Sequence, residues 1–282
     1  MTLFIHIGFG KTGTTAIQDF LFANRNQLLE NRLIYPETGL EGSGHHGLSP
    51  LGCQSLSDDL QKAYRFLCDQ LNANSQSSML LSSENYSFMH KDCIRHLGNL
   101  FAKQNVNIIF YVRSQPRLIE STYLQWQKVG VDYLGSIDRF FQVHQEAFDF
   151  MVRIEPWIEA FGEDSIRVRL YDERIIGKDV RVDFLRLIGI GEEVEVGAYD
   201  SRNSSLLLEF SKLVNCFDAL SPVTEVREHF INELLDISNK LKPATYGSLI
   251  SDSLRAKIIE TYKVSNLRFA NRFLNNEEGR LL

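Results

Sequence analysis

The chain has 282 residues, 44% of them hydrophobic and 23% charged, with a formal net charge of −6. That composition supplies a sizeable core and excludes a disordered chain. The mildly acidic balance argues against broad nucleic-acid binding, which needs a basic face, while leaving room for a local basic pocket that takes an anion.

Taken in chain order, the apolar run Leu3-Phe4-Ile5-His6-Ile7 enters a glycine-rich turn and reads as a buried parallel strand. Helical spacing follows from Thr14 to Arg32, with Ile17, Phe20, Leu21, Leu28 and Leu29 on one face. Leu33-Ile34-Tyr35 is a second strand, stopped by Pro36, and residues 37–50 are a loop rich in Gly, Ser and His. A helix over 56–74, a strand at Met79-Leu80-Leu81 and a helix over 91–104 come next. The run Val106–Val112 is the most strand-like in the chain, and Pro116 opens a helix after it. Ser165–Leu170 is a further strand, and helices are predicted over 179–189, 204–218, 224–240 and 252–275. This alternation predicts an α/β fold of three layers, P-loop-like, with a central parallel sheet flanked by helices and extra helices in the C-terminal third. No repeat or linker interrupts it, so a single domain over 1–282 is expected.

The segment Gly8-Phe9-Gly10-Lys11-Thr12-Gly13-Thr14-Thr15 carries the strongest chemical signal. A glycine-rich turn entering a helix points backbone N–H groups at one spot, and the helix N-terminus adds partial positive charge. Lys11 adds a full charge, and Thr14 and Thr15 add hydroxyl donors, a set suited to phosphate or sulfate. The Walker A spacing is not met, because the position that requires its first glycine holds Ile5. Further on, Arg113 closes the strand at 106–112 and Ser121 stands eight residues later in the following helix. A planar guanidinium fork and a neutral hydroxyl suit one further phosphate.

The four cysteines, Cys53, Cys68, Cys93 and Cys216, form no CxxC pair, which signals neither zinc nor a redox motif. The first apolar run is only strand-long and has no basic leader, and no run reaches the roughly 20 apolar residues of a membrane helix. A cytoplasmic protein without an integral membrane segment is expected.

The stretch from Ile5 to Thr15 resembles the 5′-phosphosulfate loop of sulfotransferases that use 3′-phosphoadenosine 5′-phosphosulfate (PAPS). Tyr111-Val112-Arg113-Ser114-Gln115-Pro116, continuing to Ser121 and Tyr123, resembles their 3′-phosphate segment, and the two motifs come in the family's order. Tyr262 to Phe269 is similar to the closing helix of carbohydrate sulfotransferases, and Asn203-Ser204-Ser205 to a polar segment ahead of the C-terminal helices. The likeness is nearest to bacterial members with a Lys-Thr-Gly-Thr-Thr loop. It implies PAPS as co-substrate, PAP as product, no metal, and a glycan or small-molecule acceptor. On the matched positions it implies Gly10, Lys11, Thr12, Gly13, Thr14, Thr15, Arg113 and Ser121 as donor-binding residues. The chain departs from the family in lacking a late Lys-Gly-Arg type loop. Arg202, Lys242 and Tyr246-Gly247-Ser248 are the candidates for that work.

The implied chemistry needs Lys11 beside the leaving phosphate and a base for the acceptor. Glu84, at the end of the strand at 79–81, is the first candidate for the base. His46, in the glycine-rich loop, is the second. Specificity is expected in 37–55, 85–92 and the helices from 126 to 160, where Trp126 is either a sugar platform or a core residue. A P-loop kinase needing Mg²⁺ and a non-catalytic PAP-binding module are the rival readings of the same pattern.

Overall fold

The computed structural model describes residues 1–74, 76–130, 135–190, 194–197, 206–220, 223–241, 247–275 and 282. Arg202, Asn203-Ser204-Ser205, Lys242 and Tyr246 lie outside the described residues. Five strands are described: β1 (Thr2–His6), β2 (Leu33–Ile34), β3 (Ser78–Ser82), β4 (Asn105–Val112) and β5 (Ile166–Leu170). The helices, in chain order, are α1 (Thr14–Ala23), α2 (Arg25–Glu30), α3 (Asp58–Ala73), α4 (Lys91–Leu100), α5 (Gln115–Val129) and α6 (Ile137–His144). Then follow α7 (Phe150–Phe161), α8 (Glu173–Ile176), α9 (Val180–Leu187), α10 (Phe210–Asp218), α11 (Thr224–Lys240) and α12 (Asp252–Phe273). One compact unit comprises Met1–Arg113, Asp149–Tyr199 and Ser265–Leu282; another comprises Ser114–Phe148 and Asp200–Val264.

The first unit holds the sheet, ordered β2-β3-β1-β4-β5 among the described residues and parallel at every pairing. This is the predicted α/β architecture. The central strand β1 aligns His6 with Ser82 on one side and with Ile109 on the other. Since all strands run the same way, the segments that follow β1, β3, β4 and β5 leave from one edge, where ligands gather in open parallel sheets.

Alternation along β4 supplies both faces of the sheet. Ile109 and Tyr111 join Ile17, Phe20 and Leu21 of α1 and Phe184 of α9 in one core cluster. Phe110 faces the other way and packs against Phe9, Phe150 and Phe269, with ring centroids 5.5, 6.4 and 6.2 Å apart. Helices therefore cover both faces. At the far edge, β5 alternates arginine with apolar residues, and the carboxylate of the buried Asp183 receives Arg169 and the hydroxyl of Tyr111.

The helix predicted over Thr14–Arg32 is divided at Asn24. Its side-chain Nδ2 donates to the Phe20 carbonyl at 2.7 Å, and its backbone leaves the helical region at φ −109°, ψ 21°. A short amide competing for a nearby carbonyl is a common way to end a helix. The helical stretch predicted over 126–160 resolves into the end of α5, α6 and α7.

In the second unit, Tyr123 is buried and its hydroxyl donates to the Gly135 carbonyl at 2.6 Å. Asn215 Nδ2 donates to the Tyr123 oxygen, also at 2.6 Å, so a polar knot ties α10 to α5. Trp126 is half-buried and packs edge-on to Phe140 and His144, with centroids 5.3 and 5.0 Å away. Among the described residues, no helix is long and apolar enough to cross a membrane.

Candidate active site

Residues 7–13 bridge β1 and α1. Lys11 has φ 68° and Gly13 φ 81°, so the turn alternates through the left-handed region. Such alternation turns successive N–H groups toward one concavity that favours an anion. Left-handed backbone costs a non-glycine residue about 1–2 kcal/mol, so Lys11 is held there by its surroundings. Gly13 is required twice over. Its φ suits glycine, and a Cβ there would stand 2.9 Å from both Tyr171 Cε2 and Val180 Cγ1.

Gly13 is also the N-cap of α1, and no side chain caps this helix, whereas Ser57, Ser136, Asp149 and Asp179 cap α3, α6, α7 and α9. The first-turn N–H groups of α1 thus add to those of the loop. Thr14 is buried at 3% exposure and Thr15 is exposed. Thr12 is fully buried, and its hydroxyl donates to the Phe9 carbonyl at 2.5 Å, so this side chain braces the loop from inside.

Arg113, where β4 ends, reaches the loop: its Nη1 donates to the Lys11 carbonyl at 3.2 Å. The guanidinium carbon lies 5.7 Å from the Tyr171 ring centroid, beside the ring that crowds Gly13. Two cations chosen from the sequence, Lys11 and Arg113, are thereby brought to one loop. Ser121 belongs to the second unit, where its hydroxyl donates to the Arg117 and Leu118 carbonyls at 2.8 and 3.1 Å.

The segment after β3 brings the two candidate bases together. Glu84 Oε2 lies 4.0 Å from His46 Nε2, and both side chains are about one-quarter to one-third exposed, at 32% and 25%. His46 is held from its other ring nitrogen, with Nδ1 2.8 Å from Ser83 Oγ, and Ser83 Oγ is in turn 2.8 Å from Ser49 Oγ.

The loop that carries His46 is fastened by its neighbour. The His45 N–H donates to the Ser82 carbonyl at 2.7 Å, and the Ser82 N–H donates to His45 Nδ1 at 3.1 Å. The imidazole proton is therefore on Nε2, which donates to the Pro36 carbonyl at 3.0 Å. Burial pushes this imidazole down to about 4, so it is neutral at physiological pH.

Three residues that the sequence reading passed over complete the cluster. Gln18 Nε2 donates to Ser82 Oγ at 3.3 Å and to Glu84 Oε2 at 3.1 Å. His6 Nδ1 lies 2.8 Å from the same Ser82 oxygen. Burial pushes His6 down to about 3, and its buried Nε2 has no hydrogen-bond partner among the described residues. A polar residue at an inward position, Gln18 between Ile17 and Phe20 or His6 within an apolar strand, was the available signal.

Compared with known proteins, the chain matches no family model. It is similar to an uncharacterized protein of Archaeoglobus fulgidus, 25% identical over 210 residues, which are 71% of this chain and 56% of that protein. The match thus spans little more than half of the relative's length. Among solved structures, it is similar to a sulfotransferase from Alicyclobacillus acidocaldarius at 15% identity, covering 84% of this chain and 98% of the other, with a TM-score of 0.44.

Proposed function

We propose that this protein is a PAPS-dependent sulfotransferase that moves a sulfuryl group onto an acceptor hydroxyl and releases PAP. The observation that carries the reading is the loop at 10–15: left-handed Lys11 and Gly13, an uncapped α1 N-terminus and Arg113 bonded to the Lys11 carbonyl. A turn of N–H groups beside Lys11 suits a phosphosulfate, the nearby Arg113 offers a cation for the nucleotide's second phosphate, and the order of the two motifs along the chain agrees with the resemblance.

In this reading the whole chain is one sulfotransferase domain. Gly10, Gly13 and the backbone of Thr12 shape the cradle, and Thr14 and Thr15 donate to the phosphosulfate oxygens. The resemblance assigns Arg113 and Ser121 to the 3′-phosphate, and Arg202 is the candidate by sequence for the work of the missing late loop. The acceptor O–H passes its proton to Glu84 as its oxygen bonds to sulfur, and the bond from sulfur to the 5′-phosphate oxygen breaks. Lys11 neutralises the charge that builds on that leaving oxygen, the point at which fixed charge contributes most. His46, 4.0 Å from Glu84, is the second group able to hold the proton. The acceptor is a carbohydrate hydroxyl on a polysaccharide or glycolipid, with a small metabolite as the other class.

Calorimetry with PAP in EDTA tests the reading. Micromolar binding that Lys11→Ala and Arg113→Ala both weaken is expected, together with Glu84-dependent transfer of label from [³⁵S]PAPS. No PAP binding by folded protein, with binding of ATP–Mg²⁺ instead, would replace this function with that of a kinase.

A further inference from the structure

We infer that Gln18 is a positioning residue that fixes the acceptor base relative to the donor loop; this rests on the sulfuryl-transfer reading. Gln18 and Thr14 are one turn apart on α1 and both 3% exposed, so they share the inward face of the helix whose N-terminus forms the cradle. Four residues of helix rise about 6 Å. The element that holds the phosphosulfate therefore also holds the base, one turn deeper.

The orientation of the amide follows from its partners. A carboxylate only accepts, so the side-chain nitrogen faces Glu84, and its two N–H groups meet Glu84 Oε2 at 3.1 Å and Ser82 Oγ at 3.3 Å. Ser82 is itself held by His6 Nδ1 at 2.8 Å and by the two backbone bonds to His45. Gln18 is thus anchored on one side and aims at the base with the other. Its room is limited as well: a Cβ on Gly44 would stand 3.0 Å from Gln18 Cδ. A neutral donor suits this place, because a lysine would bind the carboxylate as an ion pair and hold it from its proton-accepting role. Misplacing a reacting group by about 1 Å costs about 100-fold in rate, and the Gln18 bond restrains that displacement.

The test uses PAP calorimetry and [³⁵S]PAPS turnover with water as acceptor, so that no acceptor need be known. Gln18→Met, near in shape but without a donor, is expected to lower kcat about 10- to 100-fold, with PAP affinity and the KM for PAPS within about two-fold. Gln18→Glu, which sets a second carboxylate against Glu84, is expected to lower kcat at least as far. In a Glu84→Gln background, Gln18→Met is expected to cost nothing further, because its effect passes through Glu84. An unchanged kcat in Gln18→Met, or an equal loss with and without Glu84, overturns the positioning role. If Glu84→Gln turns over PAPS as fast as the native protein, Glu84 is no base and the inference falls. If the native protein binds no PAP, the failure belongs to the sulfotransferase reading itself.

Discussion

Arg113 Nη1 donates to the Lys11 carbonyl across 3.2 Å, joining the end of β4 to a loop 102 residues earlier. The bond is one restraint on Lys11, whose φ of 68° lies in the left-handed region. Arg113→Lys retains the charge but loses the planar fork, and PAP affinity is expected to fall about 10-fold or more. Arg113→Ala should weaken it further. Calorimetry reads both, and an unchanged Kd in Arg113→Ala would remove this residue from the donor site.

Gly13→Ala puts a methyl group 2.9 Å from Tyr171 and Val180 in backbone that disfavours it. The left-handed conformation costs about 1–2 kcal/mol and the crowding about 1–3 kcal/mol. For a chain of this size that is a fall in Tm of about 3–9 °C, with PAP binding lost. Gly10→Ala meets nothing within 4 Å and is expected to leave Tm close to native. Thermal scans of the two variants side by side would show whether the loop is as tightly packed as its geometry requires.

His45 gives the fold an acid-sensitive fastening. Its folded-state value is pushed down to about 4 by burial, against 6.5 for the exposed imidazole. The unfolded chain takes up a proton as pH falls through 6.5, and the folded chain does so only near 4. Its contribution is therefore complete above about pH 6.5, declines between 6.5 and 4, and levels off below. The decline is on the order of 3 kcal/mol. His6, pushed down to about 3, adds to it. Urea midpoints measured from pH 7.5 to 4 should fall, and His45→Asn should start lower and fall less. A variant curve parallel to the native one would assign the acid sensitivity elsewhere.

Asp183 holds two groups at the edge of the sheet. Its Oδ2 accepts the Tyr111 hydroxyl at 2.6 Å, and Arg169 donates through Nε at 3.0 and 3.1 Å. Burial, then the nearby carboxylate, pushes the Tyr111 hydroxyl far above its ordinary range, so it remains the donor. Asp183→Ala leaves that buried hydroxyl without its acceptor and removes the ion pair of Arg169, which keeps its bond to the Ile175 carbonyl. The expected cost is about 2–4 kcal/mol, with PAP affinity of the folded protein unchanged. Chemical denaturation checks the first statement and calorimetry below the transition checks the second.

Much of the sheet was legible because local physics and tertiary structure agree there. Runs such as Val106–Val112 are apolar on both faces, as a strand covered by helices on both sides must be. The turn at Gly8–Thr15 was legible as a strand–helix connection for a similar reason: glycines after an apolar run and before a helical pattern mark one. Asn24 shows the limit. Its helical neighbours suggested one continuous helix, and a single side-chain bond to Phe20 decided otherwise.

By itself the sequence determined the alternation of strands and helices and the strand–helix turn at Gly8–Thr15, and it made Lys11, Arg113, Glu84 and His46 candidates. Only the tertiary structure decided which of these meet. Lys11 and Arg113, and separately Glu84 and His46, are neighbours because parallel strands deliver distant segments to one edge. It also decided what Gln18, Ser82 and His6 do. Each is unremarkable in sequence, and each acquires a partner 64–76 residues away only when β1, β3 and α1 pack together. Hydrogen bonds reach about 3 Å, so long-range partners are fixed by register and packing, which a local pattern does not encode.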